Sequence, residues 1–124
     1  MSDTLGWKYS QSTGTLSHGG EPIGRGYAGH GQGYNNPKLE MVHNLGPIPK
    51  GVWEIGIWFD DHHLGVCVSA LRPTDQNTFG RGGFFIHGDN KYMNNTASDG
   101  CIILSRQFRE MIKKSGEKYI EVTK

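Results

Sequence analysis

Two short segments carry residues that could do chemistry together. The first is Phe84-Phe85-Ile86-His87-Gly88, and the second is Ser98-Asp99-Gly100-Cys101-Ile102-Ile103-Leu104. One apolar run ends in a histidine, and the other begins with a cysteine. A thiolate attacks carbonyl carbon well, and an imidazole can take the thiol proton and later return it to a leaving amine. Each reactive residue stands beside a glycine, where backbone can approach a substrate closely. The segments read as a nucleophile, Cys101, with its general base, His87. The competing reading is a buried structural cysteine and an incidental histidine, and the flanking glycines weigh against it.

Two arginines stand near the pair. Arg81 lies between Gly80 and Gly82-Gly83, six residues before His87. An arginine in that setting either clamps a substrate carboxylate in bidentate fashion or is an ordinary loop residue. Arg106, just past the cysteine segment, is a second candidate that a helix start could point outward.

The pair must be held by a β framework. The chain has 124 residues, a hydrophobic share of 35% and 19 glycines, which reads as one loop-rich β domain over residues 1–124. Trp7 to Ser12, a Thr13-Gly14 turn and Thr15 to His18 predict a hairpin. The glycine-crowded stretch from Gly19 to Gly33 is interrupted by Ile23, Tyr27 and Tyr34, which predicts an ordered loop over the sheet rather than a linker. Asn36-Pro37 opens a short helix through Val42, and Gly46 to Gly51 stops it. Val52–Phe59 and Val66–Leu71 are strands around a polar turn, followed by Phe84–Ile86 and Ile102–Leu104. Ser105 caps the only longer helix, whose buried face is Phe108, Met111 and Ile112. Lys113 and Lys114 suit its C-terminal end and Gly116 its C-cap. Lys118–Val122 is a last strand.

The remaining polar residues are assigned bland roles. His62-His63 with Cys67 lacks the paired motifs of a zinc site, so no metal is expected and no cofactor is called for. Cys67 alternates with Val66 and Val68 and is expected to pack inside a sheet. His18, His30 and His43 are left as surface or loop residues. A formal net charge of +1 argues against nucleic-acid binding. No stretch approaches a membrane span, and the first apolar run is too short and polar for a signal peptide, so a cytosolic product or an export route independent of such a signal is expected.

Histidine precedes cysteine by 14 positions, the reverse of the papain-like order. His-Gly followed by Ser-x-Gly-Cys-Ile resembles the signature of the L,D-transpeptidase catalytic domain. The chain is more similar still to the type VI secretion L,D-transpeptidase effectors. The matching residues are Trp7-Lys8-Tyr9, Gln11 to Gly14, Gly26-Tyr27 with Gly29, Asn35-Asn36-Pro37, Gly46 to Pro49 with Gly51, Gly80-Arg81, Ile86 to Gly88 and Ser98 to Ile102.

The resemblance implies a mainly β fold: a compact L,D-transpeptidase-like β-sandwich with a short helix near the middle and one C-terminal helix. It implies attack on peptidoglycan stem peptides between meso-diaminopimelate and D-alanine, with an acyl-enzyme on Cys101 resolved by water or by an amine. It also implies delivery by the type VI machinery into a rival's periplasm, a cognate immunity protein and a monomeric enzyme that does not insert in membranes. Carried over residue by residue, the Gly88 carbonyl orients His87, and N–H groups of Gly100 and Cys101, with Asp99, face the oxyanion. Ser98 shapes the loop or touches substrate. Asp99 stands where many relatives have histidine, and Ile103 where many have arginine or asparagine. A carboxylate beside the thiol would raise its pKa, and a carboxylate anchor must come from Arg81 or Arg106. The rival readings are a phage or self wall-remodelling enzyme of the same domain, and an idle peptidoglycan-binding module.

Overall fold

A computed structural model of the protein describes residues 6–124. The start of the run considered as a signal peptide, residues 1–5, lies outside the described residues. Eight strands make one sheet: β1 (Trp7–Ser10), β2 (Thr15–His18), β3 (Glu21–Arg25), β4 (Gly51–Asp61), β5 (Gly65–Pro73), β6 (Phe84–His87), β7 (Ile102–Ile103) and β8 (Tyr119–Thr123), in the order β3-β2-β1-β8-β4-β5-β6-β7. The helix α1 (Arg106–Ser115) is the only α-helix among the described residues.

The sheet is mainly antiparallel, with parallel pairs only at β1–β8 and β6–β7. It curls until its two ends meet. Tyr27, just past edge strand β3, makes an isolated bridge to Ile103 of the opposite edge strand β7, with N–H to O distances of 3.1 and 2.8 Å. The mainly β expectation therefore holds, and the two layers of the expected sandwich are halves of one curled sheet. The seam requires glycine at position 26, where an added Cβ would sit 1.8 Å from the Ile103 carbonyl oxygen.

The hollow of the curl is the core. Trp53, Tyr9, Leu16, Ile86, Ile102, Ile120 and Val122 point into it and are at most 2% exposed. These residues alternate along their strands with outward ones, as the two-residue strand period requires. α1 closes one side through Ile112, 1% exposed, and Phe108. The Phe108 ring lies where a side chain on Gly24 would be, 2.2 Å from an added Cβ. This contact is why β3 has glycine at position 24.

Several boundaries differ from the expectations, each for a physical reason. β3 falls in the stretch expected to be loop. Pro22 cannot donate to a ladder, but an edge strand accommodates it. The expected helix after Asn36 is a single 3-10 turn, Pro37–Leu39, with the Asn36 side chain accepting from the Lys38 N–H at 3.1 Å. Ser105 occupies the N-cap of α1 without a side-chain cap bond, while Gly116 adopts the left-handed C-cap at φ +70°. Met111 is 38% exposed, and the buried face includes Arg109 instead. Irregular pairing in the β4–β5 hairpin puts Cys67 at φ +57° with its side chain buried and Val66 outside.

Candidate functional site

The parallel β6–β7 pair builds the site. Ile86 lies opposite Ile102, and His87 opposite Ile103. One step back along this register, Cys101 falls beside Phe85, and the Phe85 N–H points at the Cys101 Sγ at 3.3 Å. Side chains alternate across a strand, so His87 and Cys101 share one face. The core residues Phe84, Ile86 and Ile102 occupy the other. Parallel neighbours need a crossover, and here the crossover is the loop from Gly88 to Cys101. Histidine ends one strand and cysteine enters the next, so both side chains stand at the mouth of that loop.

His87 and Cys101 line one cavity of about 270 Å³, with Leu64, Asn44, Ala97 and Asp99. A larger hollow of about 640 Å³ lies elsewhere, against β4 and the end of α1, and contains neither cysteine nor histidine. The smaller cavity is the one with chemistry in it.

His87 is 5% exposed. Its Nδ1 is 2.8 Å from the Gly88 carbonyl oxygen. A carbonyl can only accept, so Nδ1 carries the hydrogen and Nε2 keeps the lone pair. Burial holds the His87 pKa below its ordinary value. The Gly88 carbonyl opposes that shift, and the Arg109 guanidinium adds to it. The thiol moves the other way: burial pushes Cys101 up to about 11, against the Phe85 N–H, with the Asp99 carboxylate adding to the rise. Near neutral pH the cavity therefore holds a thiol, which donates to the Gly83 carbonyl at 3.8 Å, and a neutral imidazole, not a thiolate–imidazolium ion pair.

The loop before the cysteine is fixed from beneath. Ser98 is fully buried. Its hydroxyl donates to the Cys101 carbonyl at 2.6 Å and accepts from the N–H groups of Gly29 at 2.9 Å and Gly100 at 3.0 Å. Ser98 therefore shapes the loop and has no face left for substrate, and the Gly100 N–H is engaged rather than aimed at an oxyanion. Gly100 sits at φ +139°, where an added Cβ would meet Arg81 Nη2 at 2.5 Å and the Phe84 ring at 2.7 Å.

Arg81 also departs from the expected clamp. It is 8% exposed, and both terminal nitrogens are engaged by main-chain carbonyls. Nη1 donates to Glu40 at 2.5 Å and Pro47 at 2.8 Å, and Nη2 to Gly46 at 2.9 Å and Asp99 at 3.0 Å. Its guanidinium also lies over the Phe84 ring, 5.0 Å from the centroid. Four carbonyls use the four terminal N–H bonds of the fork. Arg81 ties the 40–47 segment to the cysteine loop and offers no pair of donors to a substrate carboxylate.

The family model of the Tlde1 domain matches residues 23–123, a span that contains the seam, both strands of the site and the loop between them. The chain belongs to the Tlde1 domain family. This is the type VI L,D-transpeptidase effector family. No curated protein and no solved structure matches the chain.

Within this Tlde1 domain the other arginine candidate is also accounted for. Arg106 is exposed on the first turn of α1, where its Nε donates to Glu110 at 2.8 Å in an i,i+4 pair. It does not line the cavity. The arginine that sequence reasoning missed is Arg109. It is buried and donates to the carbonyls of Leu104, Val66 and Cys67 at 3.0, 2.7 and 3.1 Å. It also packs so close to Gly88 that an added Cβ would lie 2.7 Å from its Nη2.

Two more residues of the Tlde1 domain frame the site from the loop expected only to cover the sheet. The Tyr27 hydroxyl donates to Asp89 at 2.7 Å and accepts from the Ala97 N–H at 3.0 Å, pinning both ends of the crossover. His30, left as a loop residue on sequence, places Nδ1 2.8 Å from the Ser98 carbonyl oxygen and 3.4 Å from an Asp99 carboxylate oxygen. The Gly-Tyr and Gly-His spacing in this segment was the available signal. Cys67 is free and buried. No group of three or more possible metal ligands occurs among the described residues.

Proposed function

We propose that this Tlde1 domain is a cysteine L,D-carboxypeptidase/L,D-transpeptidase that cleaves or exchanges D-alanine after meso-diaminopimelate in peptidoglycan stem tetrapeptides. Its place of action is the periplasm of a rival cell, reached by the type VI machinery, and its producer carries an immunity protein. The observation that carries the reading is the shared cavity of His87 and Cys101, with His87 Nδ1 held on the Gly88 carbonyl.

The reaction follows from the protonation states. The stem peptide presents its scissile carbonyl to Cys101. As the sulfur–carbon bond forms, the thiol proton passes to His87 Nε2. The N–H groups of Asp99 and Cys101 receive the oxyanion, because that of Gly100 is engaged by Ser98. The carbon–nitrogen bond then breaks, and His87 returns its proton to the departing D-alanine amine. Water or an incoming amine, deprotonated by the same Nε2, attacks the thioester and frees the thiol. No acidic third member is required, since the Gly88 carbonyl fixes the tautomer.

Incubation of purified protein with tetrapeptide muropeptides, followed by mass analysis, tests the proposal. Tripeptides with free D-alanine, or exchanged and crosslinked stems, are the expected products, and Cys101→Ala protein should give none. Unaltered muropeptides, or cleavage only at a glycosidic bond or at the amide that joins the glycan to the stem, would contradict it.

A further inference from the structure

The charge around the cavity is one-sided. Among the described residues that line it, Asp99 carries the only fixed charge. Its side chain is 72% exposed, so the carboxylate is presented to solvent at the cavity rim. The nearby cations are withheld. Arg81 and Arg109 are buried with their nitrogens on main-chain carbonyls, and Arg106 pairs with Glu110 on the helix. His30 touches the Asp99 carboxylate at 3.4 Å, but its Nδ1 lies closer to the Ser98 carbonyl, at 2.8 Å. The rim of the cavity therefore carries a negative charge that favours a positive group beside it.

Asp99 stands two residues before the nucleophile, so their Cα atoms are at most about 7 Å apart. A cation on the side chain of the residue that donates the scissile carbonyl can reach it while that carbonyl lies on Cys101. Resting on the L,D-carboxypeptidase reading, we infer that Asp99 is a specificity residue whose carboxylate pairs with the free side-chain ammonium of the stem peptide's third residue. Stems whose side-chain amine is already acylated, as in a crosslink, lose that partner and are poorer substrates. The enzyme therefore selects uncrosslinked acyl donors.

An exposed ion pair is screened by salt and modest in size. The expected preference is accordingly about fivefold in kcat/KM, carried by KM, for a tetrapeptide with a free side-chain amine over its N-acetylated form. It should narrow as salt is raised. Asp99→Asn keeps the shape and the main-chain carbonyl that Arg81 holds, and should bring the two substrates to near parity. Asp99→Glu should retain the preference. A purely structural or thiol-tuning role for Asp99 would change both substrates alike. If wild type and Asp99→Asn cleave both peptides with the same ratio, the inference is overturned while the proposed reaction stands. If wild type cleaves neither peptide, the reaction itself is overturned, and the inference with it.

Discussion

At the scale of single residues, the two cysteines have opposite surroundings. Cys101 is half-buried at the mouth of a cavity and Cys67 is enclosed. Cys101→Ala should abolish turnover and leave the thermal transition within a few degrees of wild type. Cys67→Ala should keep most of the turnover and lose about 1 kcal/mol through a small cavity, measured by denaturant titration. Equal loss of turnover in two well-folded variants would contradict the assignment. The protonation states set the pH profile. With thiol and neutral imidazole as the proposed reactive form, kcat/KM should fall on the acid side as His87 gains its proton. Burial lowers that pKa, which places the acid limb below the ordinary histidine value of about 6.5. The alkaline side should stay level toward about 11, where the thiol ionises. A pre-formed ion pair would instead show its acid limb at a depressed thiol pKa and an alkaline limb above the ordinary histidine value, where the thiolate-stabilised imidazolium loses its proton.

At the scale of elements, the β6–β7 pair and the loop between them are held by main-chain bonds to buried polar side chains. Arg81 is the largest of these ties. Arg81→Met keeps the apolar stem but leaves four carbonyls without their donor. Unsatisfied buried groups of this kind cost about 1–3 kcal/mol each before relaxation and water entry. The expected result is a loss of at least about 3 kcal/mol in denaturant unfolding, with kcat reduced more than KM raised, because the loop that carries Cys101, the proposed nucleophile, loosens. An anchor for substrate carboxylate would raise KM and spare stability.

This element also marks the limit of what was legible in the sequence. The two apolar runs, the histidine, the cysteine and their glycines were readable, because strand period and residue type are local properties. The partners of Arg81 were not. They are backbone carbonyls from the 40–47 segment and from Asp99, and carbonyls carry no sequence identity. Arg109 was hidden for a related reason. Helical periodicity assigned the buried face to Met111, but the space beside Gly88 and three free carbonyls favoured a long donor there. β3 was concealed by Pro22, which an edge position accommodates, and by Gly24, whose place is set by the Phe108 ring.

For the whole molecule, the curled sheet closes on the Tyr27–Ile103 seam, which lies beside the loop that leads into Cys101. No described helix is long and apolar enough to cross a membrane. If the target is the wall, toxicity depends on compartment. Expression in the cytosol should be nearly harmless, whereas the same chain directed to the periplasm should cause swelling, rounding or lysis. Growth curves and microscopy read the difference, and His87→Ala and Cys101→Ala should both remove it. Equal toxicity in the two compartments, or killing by the Cys101→Ala protein, would move the target away from peptidoglycan.

The central claim is that Cys101 becomes acylated with His87 as its base. Acid quench of the enzyme during turnover of a stem tetrapeptide, followed by mass analysis of the digested protein, tests it most directly. The account predicts a tripeptidyl thioester on the peptide that contains Cys101, sensitive to hydroxylamine, absent in Cys101→Ala and slow to form in His87→Ala. Product release with no adduct at Cys101, or an adduct on Cys67 instead, would contradict it.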